Sequence, residues 1–496
     1  MQIFNNTKLL KYLILLVSAT FFSCFEDQDD NGVFASEIND FVWRGMNASY
    51  LYKQNINDLS NNRFSSSEEY ADYLNLFEIP ENLFESLIYQ RETIDKFSFI
   101  VDDYIALQQY FSGISSSNGM EYGLRYIPGS NYDIYGYVRY IHPNSNAQEN
   151  NIQRGDVFNA INGISLTVDN YSELLANDIY TVNFAEYLDQ NTSETSDDQI
   201  ISNDIDIELT KVSYEKNPIH ISSIIETQNQ KIGYLMYNRF IGDYDNELIN
   251  VFSNFKSNNV TDLVVDLRYN PGGSVSSSIL LSSLITGQFS GEIISTEEWN
   301  NEIQAYYLNN NPEFLVNRFV ENNSSLNLNR VYIIATQSSA SASELVINCL
   351  DPYIDVIHIG TNTYGKYQAS VTLYDAEDFS LEGANPNHTY ALQPLVLKTL
   401  NAIGNTDYFN GLTPDITLEE NSGNLGILGD GNEPLLALAL QQITLDRKEI
   451  ELIDPVELVD DSNGFELLNK EMYIELKNVF FKNINRWITT KFQIEK

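Results

Sequence analysis

Asp262-Leu263-Val264-Val265-Asp266-Leu267-Arg268-Tyr269-Asn270-Pro271-Gly272-Gly273 is an apolar run closed by an acid, a base, a proline and two glycines. A strand buried on both faces reads as such a continuous run. The two glycines end it in a turn whose backbone N–H groups are unobstructed, and helix-type spacing follows near Ser276 to Leu284. N–H groups at the positive end of a helix can hold a developing oxyanion. Two plainer readings stand beside that one: any strand-to-helix turn needs glycine for steric reasons, and Asp266 with Arg268 reads as a structural ion pair.

Outward from this stretch the same alternation repeats. Upstream lie the strand Ile232 to Tyr237 and a helix over Asp245 to Ser257; downstream come a second buried strand, Val331 to Ala335, a helix from Ala342, and the strand Ile354 to Ile359. Strands alternating with helices predict an α/β unit with parallel strands, placed here at residues 216–445.

Two segments in this unit carry chemistry. Ser338-Ser339-Ala340-Ser341-Ala342-Ser343-Glu344 follows a strand directly, and Ala342, Leu345, Val346, Cys349 and Leu350 make one apolar helix stripe, so Ser341 sits at a helix start. Ser341 with Glu344 also fits a capping box, which needs no reaction. Thr363-Tyr364-Gly365-Lys366 ends another strand, in a segment poor in charge. A serine hydroxyl is inert at neutral pH unless a base takes its proton, and a lysine serves as base only if burial lowers its pKa. No histidine competes: His358 falls inside a strand, and His142, His220 and His388 lie in other segments.

Taken in order, the Asp-Leu-Arg-x-Asn-x-Gly-Gly turn, the Ser-Ala-Ser-Ala-Ser-Glu run and the Thr-Tyr-Gly-Lys segment resemble the carboxyl-terminal processing (tail-specific) serine proteases, from about Lys231 to Leu440. The resemblance implies a Clp protease/crotonase-like α/β core. It makes Ser341 the nucleophile, in preference to its neighbouring serines, and Lys366, 25 residues on, the base. The oxyanion would meet the N–H groups of Ala342 and of Gly272 or Gly273. The family often places a glutamine four residues after the lysine to orient it; here that position is Ser370, and Gln368 lies two residues after Lys366. Both share Lys366's face in an extended strand, so either is a candidate for that role. A catalytically silent binding protein on the same core is the rival reading, and an intact Ser341 and Lys366 argue against it.

Residues 116–215 change texture to short β-type runs, with Asn162-Gly163 as a tight hairpin signal. NSNAQENNIQRGDVFNAINGISL, residues 144–166, resembles the middle of a PDZ domain. Such domains take a peptide as an added strand and bind its terminal carboxylate at a loop's N–H groups. Tyr122-Gly123-Leu124 has the form of that loop, with Arg125 as a possible added charge; an ordinary turn with a surface arginine fits as well. Residues 36–115, glycine-free between Gly45 and Gly113, predict a small helical N-terminal region, and 446–496 a charged helical tail.

The chain of 496 residues has 43% apolar residues, including 32 Tyr and 26 Phe, which suits several packed domains and excludes wholesale disorder. Its formal charge of −41 is spread along the chain, so nucleic acid is not an expected partner. Two cysteines, Cys24 and Cys349, exclude a disulfide scaffold, and the scattered histidines make a metal site improbable; no cofactor is expected. Residues 1–23 read as a signal peptide: Lys8 and Lys11 precede an apolar run, Tyr12 to Phe22, too short to span a bilayer. Cys24 directly after it is placed as the lipidated residue of bacterial lipoproteins, with 24–35 as an acidic tether. The expected location is the bacterial cell envelope, on the outer membrane through the lipid alone. The expected partners are polypeptides with free C-termini.

Overall fold

The computed structural model describes residues 36–444, apart from 191, 193, 194, 228, 229 and 407, together with 457–463 and 470–474. The signal-peptide and tether readings, with Cys24, lie outside the described residues.

The α/β unit is organised on a six-stranded sheet. Before it in the chain come the strands of the β-rich module: β1 (Met120–Tyr126), β2 (Ile134–Ile141), β3 (Val157–Ile161), β4 (Ile179–Leu188) and β5 (Gln199–Thr210). The large sheet takes β6 (Ile219–Glu226), β7 (Lys231–Tyr237), β8 (Asp262–Asp266), then the strands Arg330–Ala335, Asp355–Gly360 and Ile416–Thr417, in that spatial order. Only β6 with β7 is antiparallel; the other pairings are parallel. The alternating side chains of β8 divide two cores. Leu263 and Val265 pack with Leu248, Phe252 and Phe255 of the helix Asp245–Ser257, whereas Val264 packs with Leu435, Leu436 and Ala439 of the helix Pro434–Thr444. A strand apolar on both faces is thus covered by helices on both, as its uninterrupted hydrophobicity requires.

A second six-stranded sheet stands beside the first. Its order is β9 (Gly273–Ser274), a C-terminal strand described below, then Gln368–Ser370, Leu395–Asn401, Ile293–Trp299 and Val316–Arg318. Residues 36–115 are largely helical, from α1 (Glu37–Ser49) to Tyr104–Phe111, but are not a separate unit. Phe99–Val101 pairs with Ala391–Gln393, and α1 packs its Phe41, Val42 and Met46 into the main core.

In the β-rich module the order is β1-β2-β3-β4-β5, with Ile164–Ser165 folding back on β3 through Asn162 (φ 52°) and Gly163 (φ 75°). The helical expectation for 446–496 is corrected at its described residues. Leu458–Asp461 and Met472–Tyr473 are strands, each borrowing its partners from a sheet edge already formed, so that helix-type composition does not decide their conformation.

Candidate active site

Ser341 stands at the cap of α2, as we number the helix Ala342–Leu350, with φ 65° and ψ −115°. A non-glycine residue in that region costs about 1–3 kcal/mol and persists when its surroundings hold it. Here they do. Its N–H donates to Glu344 Oε2 at 2.7 Å, and Ala340 N and Ser343 Oγ are both bonded to the Asn270 carbonyl. Each neighbouring serine has an acceptor: Ser338 Oγ donates to Asp461, Ser339 Oγ to the Leu267 carbonyl and Ser343 Oγ to that of Asn270. Ser341 Oγ is buried and has no hydrogen-bond partner among the described residues.

The glycine turn abuts this hydroxyl. Gly272 (φ 115°) and Gly273 (φ 132°) adopt conformations that L side chains rarely take, and a Cβ on Gly272 would lie 2.6 Å from Ser341 Cβ and 3.0 Å from its Oγ. Asn270 fixes the turn, donating to the Tyr237 carbonyl at 2.8 Å and accepting the Gly272 N–H at 2.9 Å. The Gly272 N–H is thus engaged, and the Gly273 N–H is accepted by the Glu471 carbonyl at 2.5 Å. Ala342 opens α2, so its N–H has no intrahelical acceptor.

Lys366 is fully buried. Its Nζ lies 4.6 Å from the centre of the Phe97 ring and 3.3 Å from Glu471 Oε1. Burial lowers its pKa, and the Glu471 carboxylate opposes that shift. Glu471 moves the other way, raised by burial and lowered by Lys366. Gln368 turns away, donating to Tyr52 Oη at 3.1 Å. Ser370 Oγ donates to Glu471 Oε2 at 2.7 Å and accepts from Gln393 Nε2 at 2.9 Å. Neither Gln368 nor Ser370 is bonded to Lys366 Nζ among the described residues; both flank it, Ser370 through their common partner Glu471.

Three contributors escaped the reading of the sequence. Phe97 and Tyr52 come from the N-terminal region, which no local motif ties to Lys366. Glu471 comes from the C-terminal segment. A fourth contributor, Glu344, was visible as a cap, and its spacing from Ser341 was the available signal. Beyond the cap, Oε1 accepts Thr363 Oγ (2.5 Å) and Gly365 N–H (2.6 Å), while Oε2 accepts Lys366 N–H (2.9 Å) as well as that of Ser341. One oxygen thereby holds the backbones of Ser341 and Lys366 together.

Burial raises the Glu344 carboxyl from 4.5 to about 7, against the pull of its four donors. The native state therefore binds more protons at this group than the unfolded chain between those values, and the stability it contributes is full below pH 4.5 and lost as pH rises through 7. Glu344→Gln removes this slope, which denaturant unfolding across that pH range measures. It also leaves donors facing an amide NH2, at about 1–3 kcal/mol each. An unchanged pH slope would contradict the assignment.

Tyr122, Gly123, Leu124 and Arg125 form part of β1, a strand instead of a loop, because residues 120–126 pair with β2, with one register shift between Glu121 and Tyr122. The Arg125 guanidinium is engaged, with Glu419 Oε1 at 3.0 Å and with Ser422 Oγ and the Glu420 carbonyl at 2.9 Å. Below the glycine turn, Arg268 is wholly buried between Asp266 (2.7 Å), Glu433 (2.6 Å) and Glu420 (3.1 Å). Arg154, from the β-rich module, reaches the same Glu420 at 2.8 Å and Tyr269 Oη at 2.7 Å.

Comparison with known proteins falls on these same elements. A CtpA-like serine protease of Staphylococcus aureus (strain COL) is 24% identical over 208 residues, which is 42% of this chain and 37% of that protein. A carboxyl-terminal-processing protease of Picosynechococcus sp. is 24% identical over 160 residues, 32% of this chain and 35% of that protein. The chain thus spans just over a third of either relative's length. A solved structure from Bacteroides fragilis NCTC 9343, assigned to the S41 proteases, shares the fold: TM-score 0.62, 24% identity, covering 82% of this chain and 97% of that one. The model of the peptidase S41 N-terminal domain matches residues 37–99, and that of peptidase family S41 matches 231–418, the segment holding the glycine turn, Ser341 and Lys366. Together the two matches cover half of the chain, its N-terminal helical region and its α/β unit alike, and the chain belongs to peptidase family S41.

Proposed function

We propose that this chain is a serine endopeptidase working through a Ser341–Lys366 dyad. The observation that carries the reading is a fully buried amine whose backbone shares one carboxylate oxygen with that of an unpartnered serine. Burial favours the neutral amine, the form able to accept the Ser341 proton. Ser341 Oγ attacks the peptide carbonyl. The oxyanion is received by the N–H groups of Gly273 and Ala342, which are fixed in place before the reaction and so reorganise little during it. Lys366 passes its proton to the leaving amine, and water then releases the acyl group with Lys366 again as base.

The substrates in this reading are exported or misfolded polypeptides held by their C-termini. The PDZ-like module would take the tail as an added strand at the outer edge of β1, a mode supported by the strand that lies there already, Leu458–Asp461. Cys24 would anchor the enzyme in the cell envelope. A silent peptide-binding protein is the second reading, favoured by the ion pair between Lys366 and Glu471. Incubating the protein with an unfolded polypeptide of free C-terminus and weighing the fragments decides between the two. Fragments arise with the wild type and not with Ser341→Ala; equal fragments from both would end the serine mechanism, and none from either would favour the silent reading.

A further inference from the structure

The described residues 471–474 lie against the glycine turn and the strand that follows Lys366. Met472–Tyr473, the strand β10, is inserted between β9 and the strand Gln368–Ser370, parallel to both, with Gly273 opposite Met472 and both Ser274 and Ser370 opposite Tyr473. It thereby joins the glycine turn to the strand that follows Lys366, two walls that it alone connects in that sheet. Met472 is fully buried, Ile474 N–H donates to the Ser370 carbonyl at 3.1 Å, and the Tyr473 ring lies 4.3 Å from that of Phe111.

Glu471, just before this strand, meets each part of the reacting centre. Its carbonyl takes the Gly273 N–H, its carboxylate takes Lys366 Nζ and Ser370 Oγ, and its carbonyl oxygen lies 2.7 Å from where a Gly272 Cβ would stand, beside Ser341. The same tail is held a second time. Leu458–Asp461 pairs antiparallel with β1, and Asp461 Oδ2 accepts Ser338 Oγ at 2.6 Å and Arg139 Nη1 at 2.8 Å, bridging the β-rich module to the serine turn.

We propose that the C-terminal segment is an intramolecular inhibitor, lying as a strand in the substrate's place both on the module edge and in the catalytic slot. The proposal rests on the peptidase reading above. The occupant is an inhibitor and not a substrate because of what Glu471 supplies. Attack on its carbonyl needs a neutral amine, yet its own carboxylate stands 3.3 Å from Lys366 Nζ and opposes the loss of that proton. The hydroxyl is left without an acceptor and the Gly273 donor is filled. An incoming polypeptide tail that displaces the segment removes that countercharge, fills the slot and frees the base in one event.

The full-length wild type, Glu471→Ala and Met472→Asp are compared for the rate at which a fluorophosphonate labels Ser341, with amide hydrogen exchange over residues 471–474. Both substitutions are expected to label at least tenfold faster than the wild type, whose rate is independent of protein concentration. The 471–474 amides are expected to be protected in the wild type and to lose that protection in Met472→Asp. Wild-type labelling as fast as both variants, or unprotected 471–474 amides in the wild type, would overturn the inhibitor while leaving the peptidase intact. No labelling of any form, with those amides protected, removes the peptidase reading and the inhibitor with it.

Discussion

Ser341→Ala and Lys366→Ala each lower hydrolysis of an unfolded polypeptide by at least roughly a thousandfold, and the double substitution lowers it no further. The reasoning is that the two side chains make one proton-transfer unit. Without the hydroxyl there is nothing to deprotonate; without the amine the hydroxyl stays protonated at neutral pH. What survives is the contribution of the oxyanion donors and of strand binding, common to all three variants. The rates are best compared in the Glu471→Ala background, where the free amine contributes fully. Lys366→Arg does not restore activity, because a guanidinium is never deprotonated in a protein. Effects of the two single substitutions that multiply in the double variant would mean two independent roles and would sink the dyad.

Arg268→Met destabilises the α/β unit by about 3–5 kcal/mol, the cost of breaking a buried ion pair from one side. Arg268 is fully inaccessible and holds Asp266, Glu433 and Glu420, each of them buried; Tyr234 Oη also donates to Asp266 at 2.8 Å. Removing the cation leaves the buried Asp266 and Glu433 without their guanidinium and Glu420 held by Arg154 and Tyr269. Lysine is no substitute, since its three N–H donors radiate from one atom and cannot reproduce the planar fork by which Arg268 meets Asp266 through Nε and Nη2 and Glu433 through Nη1 and Nη2. Urea unfolding followed by circular dichroism measures the change, and an unaltered midpoint would show that the cluster contributes nothing net. The fall in stability accompanies a loss of activity, because the Arg268 carbonyl accepts Thr336 Oγ1 and Leu267 accepts Ser339 Oγ, so the serine turn is built on this strand end.

The α/β unit was legible because its strands are apolar on both faces and its helices carry one stripe. Residues 262–266 and 245–257 hold the predicted elements within a residue. Ser341 and Lys366 were singled out as a pair only through the order of three motifs, since each taken alone fitted a cap or a surface charge. What escaped notice was non-local. Glu344 gathers donors from the serine turn and from residues 363–366, but its spacing to Ser341 reveals the first contact alone. Phe97 reaches Lys366 from the N-terminal region, 269 residues away in the chain, where no local motif points to it. The strands at 458–461 and 472–473 are too short to show a period and exist by virtue of the edges they meet. Gln393, which donates to Ser370, sits 23 residues from it, at the end of another strand.

Arg154 belongs to the β-rich module, yet its guanidinium shares Glu420 with Arg268, directly beneath the glycine turn. Swinging the module outward would drag a cation from among buried carboxylates into water, so motion at this joint is stiff and is felt at the strand end that carries the glycine turn.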